Sequence, residues 1–137
     1  MSQRLDEIQE LLNQLSPKKK HKITAQKLDR ILGWPNFRLV LEYDTANENK
    51  IIGMASIGFV ETLTGCKGFV DNVIVDRGYR GKGLGERLMQ RLIEIARDRG
   101  AMCVNLTSSP EREAANKLYL KLGFEKRETN VYRLTLN

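Results

Sequence analysis

Residues 69–85, with the sequence FVDNVIVDRGYRGKGLG, constrain the fold more than any other part of this chain. The stretch opens with an apolar, β-branched run, which predicts a buried strand made of Val70, Val73, Ile74 and Val75. A basic, glycine-rich turn follows, and from Leu84 onward the apolar residues recur at helical spacing. The stretch therefore predicts a strand, a tight turn and the start of a helix.

The turn at residues 80–85 has the composition of an anion-binding site, with the sequence Arg80-Gly81-Lys82-Gly83-Leu84-Gly85. Glycines have no Cβ atom, so main-chain N–H groups can approach an anion closely. The unpaired N–H groups and the positive dipole end of the helix favour negative charge at the same place. The alternative is that the glycines serve only the turn and that the two basic residues are only solvated.

Two other phosphate-binding patterns do not fit this turn. No Ser or Thr follows the Gly81-Lys82 pair, as a P-loop requires, and Glu86 stands where the G-x-G-x-x-G pattern needs its last glycine.

The length of 137 residues, with 41% apolar and 29% charged residues, predicts one domain over residues 1–137. The first residues combine acidic groups with an amphipathic pattern, and no apolar run approaches the ~20 residues that span a membrane. We therefore expect a cytoplasmic protein without membrane contact.

Cys66 and Cys103 stand singly among apolar residues, which predicts two reduced, packed thiols and no metal site.

The net charge of +6 is compatible with nucleic acid or with a small polyanionic ligand. The densest basic run, residues 18–22, lies in a proline-containing loop and has no aromatic residues for base stacking. We interpret this run first as a solvated loop, second as a positively charged rim beside the binding site of an anionic ligand, and only third as a nucleic-acid contact. His21 lies within this run and is therefore a poor catalytic base.

Periodicity and capping residues predict four helices and six strands along the chain. The helices cover residues 4–15, a segment capped by Thr24 and ended by Gly33, residues 83–99, and a segment capped by Ser109 and ended by Gly123. The strands cover residues 37–43, 51–61, 66–76, 101–106, 124–127 and 131–136. The predicted fold class is α/β (α+β): a mixed, mostly antiparallel sheet with flanking helices, a central strand-helix-strand crossover and a terminal hairpin.

This order of elements resembles the GNAT superfamily of acyl-CoA-dependent N-acetyltransferases. The turn at residues 80–85, placed after Val73-Ile74-Val75, looks like the family's R/Q-x-x-G-x-G/A motif. Residues 115–124, ANKLYLKLGF, look like its A-x-x-L-Y-x-x-x-G-F segment. One departure is at the start, because the family usually has a strand before its first helix, and here that strand is absent or very short.

The resemblance implies direct transfer of an acetyl group from the acetyl-CoA thioester to an amine. Residues 80–85 (Arg80, Gly81, Lys82, Gly83, Leu84 and Gly85) would then hold the pyrophosphate. The main chain of Val73, Ile74 and Val75 would pair with the pantetheine arm and polarise the carbonyl. By the same resemblance Tyr119 would protonate the leaving thiolate, although packing alone would also explain an aromatic residue there.

Other roles stay open at this point. Asp71 precedes Val73 by an even spacing and is a candidate base, with Glu61 or water as the alternatives. Asn116 and Arg112 share a helical face; either Asn116 contacts the pantetheine arm and Arg112 a CoA phosphate, or both are surface residues.

The competing function is a non-catalytic acyl-CoA-binding or regulatory module. The class of amine acceptor is not readable from the sequence. We expect a monomer or homodimer that binds acetyl-CoA and an amine, and we do not expect nucleic acid as a partner.

Overall fold

The computed structural model describes residues 2–137 and divides the chain into two compact units, one ending at Leu106 and the other spanning Thr107–Asn137. The first unit contains helices α1 (Ser2–Leu15) and α2 (Ala25–Leu32), strands β1 (Phe37–Asp44), β2 (Lys50–Thr62) and β3 (Gly65–Val75), a 3₁₀ turn (Arg77–Tyr79), helix α3 (Leu84–Asp98) and strand β4 (Cys103–Asn105). The second unit contains helix α4 (Glu113–Lys121).

The four strands form one sheet in the order β1-β2-β3-β4. Strands β1, β2 and β3 are antiparallel neighbours, because short polar turns connect them. Strand β4 lies parallel to β3 and is reached through α3, which is the predicted strand-helix-strand crossover. The predicted fold class, a mixed and mostly antiparallel sheet with flanking helices, is confirmed.

Helices cover both faces of the sheet. On one face Met54 of β2 and Ile74 of β3 pack with the α1 residue Leu11. Gly53 precedes Met54 and so points to the other face, where a Cβ atom on it would lie 3.2 Å from Cδ1 of Leu88 in α3. The buried residues of α3, which close this second face, are Leu88, Met89, Leu92 and Ala96.

Helix boundaries follow the predicted caps at most positions. The Thr24 hydroxyl accepts a hydrogen bond from the Lys27 N–H at 3.1 Å and so caps α2. Gly100 follows α3 with φ +77°, and Gly123 follows α4 with φ +101°, values that glycine adopts without a Cβ penalty.

The start of α4 differs from the prediction. The helix begins at Glu113 with Arg112 as its N-cap, and it does not begin at Ser109. The Arg112 N–H donates to the Ser109 carbonyl at 3.1 Å and closes a separate turn; the helical bonds begin only where the Asn116 N–H donates to the Arg112 carbonyl at 3.0 Å.

The predicted terminal strands, residues 124–127 and 131–136, are not formed, and no helix or strand is assigned after α4 in the described chain. Tyr132 and Leu134 are 87% and 84% exposed. A two-stranded ribbon is marginal unless a third strand or a helix covers its apolar face, and the side chains that would form this face are exposed.

The two cysteines differ in their surroundings. Cys66 is buried, as expected, whereas Cys103 is exposed because it lies on the short strand β4 at the end of the sheet order. Both thiols are free. Burial raises the pKa of the Cys66 thiol, which makes it a weak nucleophile.

Candidate functional site

Strand β3 contains a bulge in the middle of the predicted site. Ser56 of β2 faces Asp71, but Met54, two residues earlier, faces Ile74, so β3 carries one extra residue. Asn72 lies at this point with φ +54°, a region that asparagine tolerates better than most residues. The Ser56 hydroxyl donates to the Asp71 carbonyl at 2.9 Å and supports the irregular main chain.

The bulge contradicts the spacing argument for Asp71. Residues directly opposite each other in a sheet share a face, so Asp71 shares the face of Ser56 and Met54. That is also the face of Ile74, whereas Val73 and Val75 are the sequence neighbours of Ile74 and point the other way. The even spacing from Asp71 to Val73 therefore does not place their side chains together, because an extra residue interrupts the period.

The strand edge after Phe69 is open. The parallel pairing of β3 with β4 runs from Lys67–Cys103 to Phe69–Asn105 and ends there. Within the described part of the sheet, the later residues of β3 have a strand partner only on the β2 side.

Main-chain geometry identifies which groups face this open edge. The Asp76 N–H donates to the Ile52 carbonyl of β2 at 2.8 Å. Because successive residues of a strand point their main-chain groups to alternate sides, Ile74 also faces β2, and Val75 faces away from it. The Val75 carbonyl accepts a hydrogen bond from Nε of Arg80 at 3.0 Å, which agrees with that direction. The same alternation directs the main-chain groups of Val73 to the open edge. Of the three residues expected to pair with the pantetheine arm, Val73 and Val75 therefore face this edge with their main-chain groups, whereas Ile74 faces β2.

Hydrogen bonds fix the turn between β3 and the basic loop. Oδ1 of Asp76 accepts from the Gly78 N–H at 3.1 Å, and the Tyr79 N–H donates to the Asp76 carbonyl at 2.8 Å. Nζ of Lys50 lies 3.7 Å from Oδ2 of the same carboxylate. The Arg77 N–H donates to the Gln14 side chain in α1 at 2.9 Å. The segment before Arg80 is thus tied to two other elements of the first unit.

Tyr79 also contacts a distant part of the first unit. Its hydroxyl donates to Oδ2 of Asp44, at the end of β1, at 2.6 Å. Nζ of Lys82 lies 5.4 Å from the centre of the Tyr79 ring, within the range of a cation–π contact. Neither Tyr79 nor Asp44 was predicted from the sequence as a site residue. An aromatic residue directly before Arg80 was the available signal for the first; nothing in the sequence marked the second.

The glycines of the basic loop have the conformations that the prediction requires. Gly81 and Gly83 both have φ +80°, and Gly83 is the N-cap of α3 without a side-chain capping bond. A Cβ atom on either glycine would meet nothing within 4 Å, so the space beside the main chain is open. The first N–H groups of a helix have no intrahelical partner, and with Arg80 and Lys82 beside them they form a cradle for an anion.

The second unit carries the other predicted site residues. Tyr119 is buried and meets the Phe124 ring edge-on, with the ring centres 5.9 Å apart. Burial raises the pKa of its phenol, so Tyr119 stays protonated at neutral pH. Nδ2 of Asn116 donates to the Ser109 carbonyl at 2.9 Å and so fastens α4 to the preceding turn. An open cleft of about 320 Å³ beside that turn is lined by Thr107, Ser108, Ser109 and Arg112.

Taken together, the first unit has a mixed sheet with helices on both faces and a basic, glycine-rich turn at the N-terminus of a helix. The chain matches the Acetyltransferase (GNAT) family over residues 5–124 and belongs to that family. The expected resemblance is confirmed, as is the expected class of N-acetyltransferases.

Two rice (Oryza sativa subsp. japonica) proteins are similar to this chain. Glucosamine 6-phosphate N-acetyltransferase 1 is 31% identical over 127 residues, which is 88% of this chain and 74% of the rice protein. Probable glucosamine 6-phosphate N-acetyltransferase 2 is 39% identical over 97 residues, or 68% of this chain, and the chain spans only about half, 56%, of its length. A crystal structure of a Trypanosoma brucei acetyltransferase has a TM-score of 0.81 and 30% identity, and covers 99% of this chain and 95% of the solved one.

Two absences in the described part of the chain bear on the site. Residues 2–137 contain no group of three or more His, Cys, Asp or Glu side chains that could hold a metal ion. None of the helices described is long and apolar enough to cross a membrane.

Replacing Gly83 with valine should remove CoA binding, because a branched side chain would obstruct the approach of the anion and strain a residue at φ +80°. Gly100→Val is a matched control, since Gly100 follows the other end of α3 at φ +77° with equally open space around it. Both variants should lose similar thermal stability, and calorimetry should show lost CoA binding only for Gly83→Val. Unchanged CoA affinity in Gly83→Val, or equal loss in both variants, would show that the loop does not bind the ligand.

The bond between Tyr79 and Asp44 should make stability depend on pH. The hydrogen bond from Tyr79 holds the pKa of the Asp44 carboxyl below its usual value, and the bond to Asp44 raises the pKa of the Tyr79 phenol. The bond therefore stabilises the fold between about pH 4 and about pH 10, the ordinary pKa values of the two groups. It is lost as the pH falls through the lowered pKa of the folded carboxyl.

Urea unfolding of the wild type and Tyr79→Phe at a series of pH values tests this dependence. The wild type should be the more stable protein at pH 7, and the difference should shrink as the pH falls below about 4. A difference that stays constant down to the lowest pH at which both proteins fold would contradict the assignment.

Proposed function

We propose that this protein transfers the acetyl group of acetyl-CoA to a primary amine by direct attack. The observation that carries the proposal is the junction in β3, where an open strand edge leads within five residues into a basic turn at a helix N-terminus. An extended amide chain ending in a pyrophosphate, which is the form of CoA, is complementary to that sequence of groups.

In this proposal the turn holds the pyrophosphate. The main-chain N–H groups of residues 81–85, namely Gly81, Lys82, Gly83, Leu84 and Gly85, point at the anion, and the side chains of Arg80 and Lys82 balance its charge. The phosphate oxygens replace water at groups that are already exposed, so binding leaves no buried donor unpaired.

The pantetheine arm extends along the open edge and pairs with the main chain of Val73 and Val75, as an added strand would. Ile74 contributes its side chain to the core beneath and its main chain to the ladder with β2. An N–H group at the open edge is also suited to polarise the thioester carbonyl, because it is fixed by the sheet before the reaction.

The chemistry requires two proton transfers. The amine attacks the carbonyl carbon, the C–N bond forms, the C–S bond breaks and the thiolate takes a proton. Tyr119 is our proposed donor, on the basis of the family motif and of its protonated state at neutral pH. Asp71, Glu61 and water are the candidate routes for the amine proton; Asp71 is exposed, and its Oδ1 accepts from the Asn72 N–H at 2.8 Å.

Asn116 has a role in this proposal that is mainly structural, because its amide group is already bonded to Ser109. Its side-chain oxygen is the group that would meet the pantetheine arm. The expected single domain, cytoplasmic location and monomeric or homodimeric state stay predictions.

We further propose an amino sugar phosphate as the acceptor, with glucosamine 6-phosphate as the first compound to test. The support is that both rice relatives carry that activity in their names. An anionic acceptor also suits a chain with a net charge of +6. The non-catalytic module is not favoured, since these relatives are named as acetyltransferases.

Release of the CoA thiol from acetyl-CoA, measured with different acceptors, tests the proposed substrate. Glucosamine 6-phosphate should give a much larger kcat/KM than glucosamine, because the phosphate contributes binding energy that the neutral sugar lacks. A peptide with a free N-terminus and a lysine side chain is the comparison acceptor. Preference for the peptide would reject the sugar phosphate and keep acetyl transfer, whereas no thiol release with any acceptor and no CoA binding would reject the function.

Replacing Tyr119 with phenylalanine should lower kcat by ~10²–10⁴, the usual contribution of a positioned acid. The substitution keeps the ring and its edge-on contact with Phe124, so thermal stability and CoA affinity should change little. Tyr132→Phe is the control, because Tyr132 is 87% exposed and has no role in the proposal. Full activity in Tyr119→Phe would assign the proton transfer to solvent or to another side chain.

A further inference from the structure

We propose that Tyr79 and Asp44 are positioning residues for acetyl-CoA, which hold the phosphate-binding turn in its binding conformation before the ligand arrives. This inference rests on the proposed function. Neither residue is suggested as a contact to the reacting atoms; they act through the turn at residues 80–85.

Tyr79 lies at the junction between the sheet and the basic loop. It is the last residue of the 3₁₀ turn and directly precedes Arg80, the first residue of the basic loop. Its hydroxyl donates to a carboxylate at the end of β1, and the bond joins residues 35 positions apart. A hydrogen bond of this kind fixes where the loop begins relative to the sheet.

Asp44 is itself held in place by hydrogen bonds. Its Oδ1 accepts from the Ala46 N–H at 3.0 Å, and its carbonyl accepts from the Asn47 N–H at 3.1 Å. Tyr79 takes the other carboxylate oxygen. The anchor is therefore part of the ordered turn between β1 and β2, and the tyrosine is bonded to a rigid partner.

Positively charged side chains lie near the Tyr79–Asp44 pair. Lys82 lies over the Tyr79 ring, and Lys50 pairs with Asp76 beside it. Fixing the ring thus also limits where the Lys82 ammonium group can lie. A carboxylate close to a phosphate site would by itself repel the ligand, so the presence of Asp44 here needs a reason other than ligand charge.

The proposal can be tested at Asp44, because losing the repulsion and losing the hydrogen bond would change the affinity for an anion in opposite directions. Asp44→Asn removes a negative charge, which alone would tighten the binding of an anion. The same substitution leaves one side-chain oxygen for two donors, the Ala46 N–H and the Tyr79 hydroxyl, so the anchor is weakened. If positioning dominates, Asp44→Asn should raise the KM for acetyl-CoA; an unchanged or lower KM would overturn the proposal.

The main experiment compares Tyr79→Phe with the wild type on two acetyl donors. Acetyl-CoA carries the pyrophosphate, whereas acetyl-pantetheine lacks it and can use only the strand edge. Phenylalanine keeps the ring under Lys82 and deletes only the hydroxyl. We expect the KM for acetyl-CoA to rise roughly tenfold, the effect of one hydrogen bond to a charged group, with kcat little changed. With acetyl-pantetheine, kcat/KM should not change.

Tyr43→Phe is the matched control, because it deletes a hydroxyl from the residue that precedes Asp44 on the same strand. It should leave the KM for both donors unchanged. Equal losses in Tyr79→Phe with both donors would indicate a general structural defect and overturn the proposal, as would no loss with either. Calorimetry of CoA binding separates this inference from the proposed function on which it rests. If the wild type does not bind CoA, both the function and the inference are rejected. If the wild type and Tyr79→Phe bind CoA equally well, only the inference is rejected.

Discussion

The pairing of β2 with β3 includes one extra residue at Asn72, and the geometry of the proposed donor site depends on this irregularity. A bulge bends its strand and increases its twist, and β4 pairs with β3 only before the bulge, as far as Asn105. The residues after the bulge therefore keep one edge without a strand partner in the described sheet. An unpaired edge is normally a liability, because its N–H and C=O groups invite another strand. Here the same property makes it suitable for an extended ligand.

The turn after β3 has a flexible, glycine-rich sequence, and its proposed role requires a defined conformation. Fixing the main chain of one residue costs about 1–2 kcal/mol, so a glycine-rich turn that became ordered only with ligand would lose much of its affinity. In this protein Gln14, Lys50 and Asp44 hold the residues just before the turn. Gly81 and Gly83 adopt positive φ values in the turn, and the contacts that order the preceding residues lie outside the proposed site.

The sequence predicted the elements whose signals are local. The turn could be recognised because its glycines, its basic residues and the helical period after Leu84 lie within a few positions of one another. Asp71 does not share the face of Val73 as its even spacing predicted. A period of two requires a regular strand, and a single extra residue reverses the face of every side chain beyond it. The Tyr79–Asp44 bond joins distant residues, so no window of sequence contains it. The residues near Tyr132 alternate as they would in a strand, but this pattern does not show whether another strand is available to pair with them.

Arg80 connects the two parts of the proposed donor site. Its Nε donates to the Val75 carbonyl, so one end of the guanidinium group is fixed to the last residue of the strand edge. The Val75 N–H points to the same side as that carbonyl, and it is the main-chain group of this residue that a ligand carbonyl can still use. In the proposed complex, Arg80 therefore lies between the strand edge, which would pair with the amide portion of CoA, and the basic turn, which would hold the phosphate portion.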